Sequence, residues 1–514
     1  MNEKKSAAPP GWAPLLDEYR QRVDFGRSMG GKEKLEKRRA QGRLNAREMV
    51  TLFCDEGSFT EIGTLGGGIS YHGEAKAPAD ALVAGFATVD GRPVVVGAED
   101  FTVMGGSIGP ATNAKKLRLA RLAAKERVPY VMFLDGAGER MGNTLERRSY
   151  APNDMQVLAE LSGTVPTVAV VMGSSAGHGA ITGLLMDFVV MLKDATLFSA
   201  GPPLVMAALG EKVSKEELGS AQMHTAESGV AHNLVQDEEE ACRLVHRYLG
   251  FLPSSAWQWP PEHTDGNPVR GPREVTEIME VIPRDTLQPY DMQKVIDILV
   301  DDSDEWLAYQ PDFGTSILAG LARMGGKPLG IVANQPIIRA GAITWDAADK
   351  AAHFLDTCNA YHLPVLFLAD NPGVMSGSQA ERDGTLRAAA RMYAAQCRLR
   401  GPKFHVTLRK AFGFGSSLMG MNPFDHQSLS LALPGISLGA MPADSGGQAA
   451  KLDSETRQQI SEAEVGSAWS AGDNLAYDEV VEPGELRNFL LRGLGRFRRQ
   501  DGLPEPMKNR GIAP

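Results

Sequence analysis

The sequence of 514 residues predicts an α/β protein made of two similar halves, each a largely buried sheet layered with helices. Three observations carry that expectation: an internal repeat, apolar runs that alternate with helix-spaced segments, and a glycine-rich turn after a strand in each half. Ala84-Gly85-Phe86-Ala87 matches Ala319-Gly320-Leu321-Ala322 at a shift of 235 residues. The same shift carries Gly91 to Gly326, Pro93 to Pro328, Ala98 to Ala333, Gly106 to Gly341, Lys115 to Lys350, Pro129 to Pro364, Asp135 to Asp370 and Gly138 to Gly373, and no gap is needed from 84 to 138. A period this long means paired domains and not a solenoid. Between the halves, Pro253 to Pro272 holds five prolines and two tryptophans with no helical or strand period, a linker composition. The expected cut therefore falls near residue 265, giving domains 1–265 and 266–514.

The elements follow in order. Pro93 to Gly97 is a short apolar run, Lys115 to Arg127 places Leu117, Ala120, Leu122 and Ala123 at helical spacing, and Val128 to Leu134 is a second run ending at Asp135. The second half repeats this with Leu329 to Val332, Lys350 to Tyr361 and Leu363 to Ala369. Val165 to Met172 reads as a strand that breaks at Gly173-Ser-Ser-Ala-Gly-His-Gly179 before an apolar helix. Phe404 to Leu408 leads likewise into Lys410-Ala-Phe-Gly-Phe-Gly-Ser-Ser417. Glycines at a strand end let a ligand approach the backbone, and the helix start that follows presents unpaired amides and a positive dipole end. Such a turn suits an oxyanion held by main-chain N–H groups.

Composition narrows the partners. With 53 Lys+Arg against 63 Asp+Glu the net charge is −10, which disfavours nucleic acid. Four widely spaced cysteines (Cys54, Cys242, Cys358, Cys397) provide neither a disulfide scaffold nor a zinc ribbon, and they point to a reducing, cytoplasmic compartment. No metal site is expected. Residues 1–11 lack the apolar core of a secretory signal. Val165 to Leu192 is long and apolar enough to span a bilayer, but its glycines, His178 and Asp187 favour a buried strand–turn–helix over a lipid-facing helix. Lys32, Lys34, Lys37, Arg38, Arg39, Arg43 and Arg47 form a basic run, read as a solvated helix face unless an anion binds there. Lys115 and Lys350 are explained by shared descent of a helix start, His224 and His232 as structural histidines, and Asp135 and Asp370 as turn caps.

Gly173-Ser-Ser-Ala-Gly177 also fits the nucleophile elbow G-x-S-x-G, so a serine hydrolase using Ser175 with His224, His232 or His263 is an alternative. That reading gives the second half no role.

Several further segments carry a family resemblance: Met29-Gly-Gly-Lys-Glu-Lys-Leu35, Gly42-Arg-Leu-Asn-Ala-Arg-Glu48, Asp55-Glu-Gly-Ser-Phe-Thr-Glu61, Asp100-Phe-Thr-Val-Met-Gly-Gly-Ser107, Gly210 to Gly219, Asn334-Gln-Pro336, Pro372-Gly373 and Tyr477 to Pro483. In order and spacing, from about Met29 to Arg487, the chain resembles the carboxyltransferase (β) subunits of biotin-dependent acyl-CoA carboxylases, the propionyl-CoA and acetyl-CoA carboxylase group of fatty acid metabolism.

The resemblance implies two crotonase-like (ClpP/crotonase) domains, an acyl-CoA side in the first and a biotin side in the second. It implies transfer of CO2 from carboxybiotin to the α-carbon of an acyl-CoA, with propionyl-CoA or acetyl-CoA expected. The thioester oxygen would be held at Ala176-Gly177-His178, through the Gly177 and His178 amides. The biotin ureido oxygen would be held at Lys410 to Ser416, with Gly413 in the cradle and the Phe414 and Gly415 amides as donors. The freed biotin nitrogen would take the α-proton, so no side-chain base is required. Ser417 resembles the acyl-length selector, and one or two of the basic run, Arg39 and Arg43 among them, would meet the CoA phosphates.

His178 and Phe414 each stand where relatives carry glycine, which raises the question of a glycine-only φ. The segment Asn422 to Pro442 also diverges. No Ala-Met-Lys-Met carrier motif or ATP-grasp pattern occurs. Biotin would therefore arrive on a partner subunit with biotin carboxylase and carrier domains, docked on a homo-hexamer within a larger hetero-oligomer. The alternatives are a biotin-linked decarboxylase or transcarboxylase subunit acting on malonyl-type CoA esters, and a non-catalytic scaffold.

Overall fold

A computed structural model describes residues 11–69, 76–144, 154–264, 266–423, 425–496, 504–507 and 512. Residues 1–10, most of the segment judged to lack a signal sequence, lie outside the described residues. The chain divides into two compact units: Met1–Ala221 with Leu234–Arg243, and Gln222–Asn233 with Leu244–Pro514. The division runs through 221–244, ahead of the position near 265 read from composition.

The first unit is organised on a sheet whose strands run in the order Thr60–Glu61, Leu82–Val89, Arg92–Glu99, Tyr130–Leu134, Thr167–Val171, Phe188–Leu192 and Asn233–Val235. The pair Leu82–Val89 and Arg92–Glu99 is an antiparallel hairpin, and parallel pairing then runs on to Phe188–Leu192. Tyr130–Leu134 and Thr167–Val171 are buried along their whole length, as expected of parallel strands covered on both faces. Pro110 starts the crossover helix Pro110–Glu126, where its missing N–H costs nothing.

The second unit repeats this plan. Its order is Leu307–Tyr309, Ile317–Met324, Lys327–Asn334, Val365–Asn371, Lys403–Phe412, Leu429–Ala432 and Glu479–Val480, with Ser437–Gly439 pairing the far end of Lys403–Phe412. Even the register is conserved at the repeat shift: Leu82 faces Glu99 and Ile317 faces Asn334, while Val95 faces Tyr130 and Gly330 faces Val365. Every apolar run read from the sequence overlaps a strand here, and both helix-spaced segments end one residue past a helix, Pro110–Glu126 and Trp345–Ala360.

One expectation changes and another holds. Pro253 to Pro272 is irregular apart from one helical turn at its end, but it is not a free tether. Ser255 and Ala256 are fully buried, the Ala256 carbonyl lies 2.8 Å from His362 Nε2, and the His263 N–H donates to the Gly326 carbonyl. Its apolar residues anchor it to the second unit, which a composition rule does not register. The apolar stretch Val165 to Leu192 folds as strand Thr167–Val171, short strand Ser174–Ala176, helix His178–Leu184 and strand Phe188–Leu192. Among the described residues no helix is long and apolar enough to cross a membrane.

Candidate functional site

The first turn grows out of the end of strand Thr167–Val171. At Gly173 a Cβ would fall 2.0 Å from Asp135 Oδ1, so the chain passes there only as glycine. Ser174–Ala176 then pairs in parallel with Thr196–Phe198, and Gly177, at φ +57° and ψ −122°, leads into helix His178–Leu184. The ladder continues one residue further, because the Gly177 N–H donates to the Phe198 carbonyl at 3.2 Å. The Gly177 amide expected to hold a thioester oxygen is thus already spent, and the His178 N–H, first in the helix, is the next of those a helix leaves without an intrahelical acceptor. Gly138, at φ +83°, closes on the turn from the next strand end, where a Cβ would lie 2.8 Å from the Ala176 carbonyl oxygen.

The second turn has the same build. Phe412 ends its strand, Gly413 at φ +53° matches Gly177, and the helix Gly413–Leu418 follows. Gly373, φ +125°, stands where Gly138 stands in the first half, and its N–H donates to Asn371 Oδ1 at 3.1 Å. A Cβ on Gly415 would sit 2.4 Å from Asn371 Oδ1 and 2.7 Å from Gly373 Cα, so this position is closed to any larger residue. Phe414 and Gly415 are the second and third residues of that helix, among the N–H groups a helix leaves free. Both positive-φ places have kept glycine. His178 and Phe414 are absent from the positive-φ residues, so replacing glycine there brings no backbone strain.

The side chains at those two positions are held differently. His178 Nε2 lies 2.8 Å from Asp154 Oδ1, and Asp154 is buried. Burial alone would raise the Asp154 carboxyl, but the His178 hydrogen bond and the charge of Lys116 outweigh it and hold it below the usual carboxylate range. Phe414 is 45% exposed, with its ring 6.0 Å from that of Tyr393. Ser417 donates to Asn422 Oδ1 at 2.9 Å, and the Asn422 amide reaches Tyr393 Oη at 3.3 Å. Past Gly373, a cavity of about 410 Å³ is lined by residues including Arg339, Trp345, Asp346, Met375, Gln379 and Thr385.

The basic run separates into structural and free members. Arg38 is buried against Asp135 Oδ2 at 2.7 Å, and Arg47 grips Glu61 with both Nη atoms at 2.9 Å. Arg39 is exposed and paired with Glu48, while the Arg43 guanidinium approaches the Asp194 carbonyl at 3.5 Å. Asp135 and its repeat mate Asp370 are ion-pair partners and not turn caps, since Arg409 Nε meets Asp370 Oδ2 at 2.9 Å. Lys115 and Lys350 have a duty as well: each Nζ donates to two backbone carbonyls, Ala79 and Leu82 for the first, Gln310 and Phe313 for the second.

The hydrolase alternative fails at its nucleophile. Ser175 is fully buried in extended strand, and its Oγ has no hydrogen-bond partner among the described residues. His232 is packed against Tyr309 and His353, and burial with His353 pushes its pKa well down. Among the described residues no His/Cys/Asp/Glu group could hold a metal ion.

A model of the carboxyl transferase domain matches residues 37–465. The chain belongs to the carboxyl transferase family. The 12S subunit of methylmalonyl-CoA carboxyltransferase from Propionibacterium freudenreichii subsp. shermanii is 32% identical over 100% of this chain and 99% of its own length. The β5 subunit of a biotin-dependent acetyl-/propionyl-coenzyme A carboxylase from Mycobacterium tuberculosis is 34% identical over 94% of this chain and 92% of its own. A crystal structure of the transcarboxylase 12S hexamer, with methylmalonyl-coenzyme A and methylmalonic acid bound, superposes with a TM-score of 0.89 at 31% identity, covering 98% of this chain and 99% of that one. The crotonase-like pair of domains that the family resemblance implied is therefore the fold of this carboxyl transferase.

Sequence reasoning missed the supports under the two turns. Glu99 Oε2 accepts the Asp135 N–H at 2.9 Å, and Asn334 Oδ1, its mate at the repeat shift, accepts the Asp370 N–H at 3.1 Å. A polar residue in that column of both halves was the available signal.

Proposed function

We propose that this carboxyl transferase moves CO2 between carboxybiotin and the α-carbon of an acyl-CoA, with the acyl-CoA on domain 1–265 and biotin on domain 266–514. The observation that carries the reading is the duplication of one device. In each half a positive-φ glycine, Gly177 or Gly413, turns a strand into a short helix whose first amides are unspent, with Gly138 or Gly373 pressed against it. Two such cradles suit a reaction in which two oxygens, one on each substrate, gain negative charge in turn.

At the first turn the His178 N–H receives the thioester oxygen and so makes the α-proton more acidic. At the second, the Phe414 and Gly415 N–H groups fit a ureido oxygen, and the cavity beside Met375 has room for a small polar bicycle. Bound carboxybiotin supplies the CO2 and a nitrogen to take the α-proton. Phe414 shields that ring from water, and Ser417, held by Asn422, limits the acyl chain. The exposed Arg39 and the loosely held Arg43 are available for CoA phosphates.

The biotin comes on a partner subunit with biotin carboxylase and carrier domains. The chains form a hexamer in which each site takes its first turn from one chain and its second from a neighbour. The transcarboxylase relative, described as a hexamer assembly, supports the hexamer. Propionyl- or acetyl-CoA is the expected substrate; methylmalonyl-CoA, named for the 12S relative, is the alternative. The test is ATP- and bicarbonate-dependent carboxylation with the cognate biotin subunit over acetyl-, propionyl-, butyryl- and longer acyl-CoAs, with methylmalonyl-CoA in the reverse direction. Turnover with none of them, from an intact hexamer, would favour a scaffold instead.

A further inference from the structure

His178 stands at the first turn with a side chain whose partner the structure shows. The ring is nearly buried, and its Nε2 is 2.8 Å from Asp154 Oδ1. An ionised carboxylate only accepts, so Nε2 carries the proton in either charge state of the imidazole. The Asp154 carboxylate stays ionised because Lys116 also faces it. Lys116 is itself buried and bonded to Glu99 Oε1 at 2.7 Å, and Glu99 Oε2 takes the Asp135 N–H.

This buried framework touches both walls of the first turn. A Cβ on Gly136 would lie 2.7 Å from Glu99 Oε2, and one on Gly179 would lie 3.6 Å from Glu99 Oε1. Lys116 is paired with Glu99, and Asp154 holds the His178 ring. At the second turn the supports are neutral, Asn334 in the place of Glu99 and Asn371 bonded to it, and the buried ion pair there is Asp370 with Arg409.

We propose that His178 is a positioning residue for the carboxyl transfer: its imidazole, held on the buried Asp154 carboxylate, fixes the direction of the His178 backbone N–H that receives the thioester oxygen. The proposal rests on the carboxyltransferase reading and adds a second duty to one residue. The amide binds, and the side chain aims the amide. An aimed donor acts on the charge that develops in the transition state, so losing the aim lowers kcat and leaves KM for the acyl-CoA nearly unchanged.

The experiment uses the full hexamer with its biotin subunit and propionyl-CoA as probe, or whichever acyl-CoA the panel identifies. His178→Ala and Asp154→Ala should each lower kcat by about ten- to hundredfold, the range expected when a catalytic group drifts by up to an ångström. The double variant should lose no more than the worse single one, because both remove the same contact. His178→Gln places an amide N–H at the reach of Nε2 and should recover most of the loss. Hexamer size and thermal unfolding of His178→Gln show that it folds. A folded His178→Gln no more active than His178→Ala, an effect confined to KM, or full additivity would each overturn the positioning role. Wild-type protein inactive on the whole panel would instead remove the carboxyltransferase reading, and the inference with it.

Discussion

Gly415 and Ser175 show how differently two small residues beside glycine-rich turns can matter. A methyl group on Gly415 would overlap Asn371 Oδ1 and the Gly373 backbone, and the backbone on one side of that contact cannot yield as a flexible side-chain tip would. The helix start must move instead, taking the Phe414 and Gly415 amides with it. Gly415→Ala is expected to lower kcat about hundredfold with the hexamer intact, as measured by steady-state carboxylation beside analytical ultracentrifugation. Wild-type kcat in that variant would mean the amides are not part of the chemistry. Ser175→Ala should keep full turnover. Its hydroxyl is buried and unpartnered, so removing it relieves an unsatisfied group, and unfolding stability should be unchanged or slightly higher. Loss of turnover there would revive the hydrolase.

The crossover helices are tied to their hairpins by lysines whose charge is unwelcome where they sit. Lys350 Nζ is fully enclosed and meets two carbonyls, Gln310 and Phe313, and burial pushes its pKa down to about 7; Asp346 and Asp312 resist only in part. Lys115 behaves alike in the first half, pushed down to about 8. A neutral amine still has two N–H groups for two carbonyls, so the bonds survive deprotonation. The unfolded chain holds the Lys350 proton up to its ordinary pKa of about 10.4, and the folded chain releases it above about 7. Across that window the unfolded state binds more protons, so stability rises with pH, by at most about 1.4 kcal/mol per pH unit for each lysine. Urea midpoints at pH 7, 8 and 9 should therefore climb in wild type, and Lys350→Met should flatten the climb while lowering overall stability. An unchanged slope in the variant would show that Lys350 is charged throughout. The repeat marked both lysines, but their partners are backbone carbonyls of the neighbouring segment, and no side-chain pattern announces a carbonyl. The same limit hid Asp154, 24 residues from His178 and tied to it only by the fold. Strands and turns were legible because apolar runs and glycines act locally. The supports were not, because each is a pairing between distant segments.

At the scale of the whole molecule, the conserved register at the repeat shift means two copies of one domain have kept one scaffold while their turns diverged, His178 on the buried Asp154 carboxylate and Phe414 beside the Tyr393 ring. Such division of labour makes the halves separable by mutation. If each site joins the first turn of one chain to the second turn of a neighbour, a chain damaged at Gly177 and a chain damaged at Gly415 can rescue each other. In a hexamer assembled at random from equal amounts of Gly177→Pro and Gly415→Pro chains, a sound first turn meets a sound second turn in about a quarter of the sites, since each is present with even odds. Co-expression of two differently tagged variants, followed by tandem purification and assay with the biotin subunit, should then recover activity of that order from two inactive parents. If both turns of a site came from one chain, every site would keep one damaged turn and the mixture would stay as inactive as its parents. Each substitution removes an N–H and disturbs one turn, and the rescued fraction depends on which chains share a site and hardly on the size of either defect.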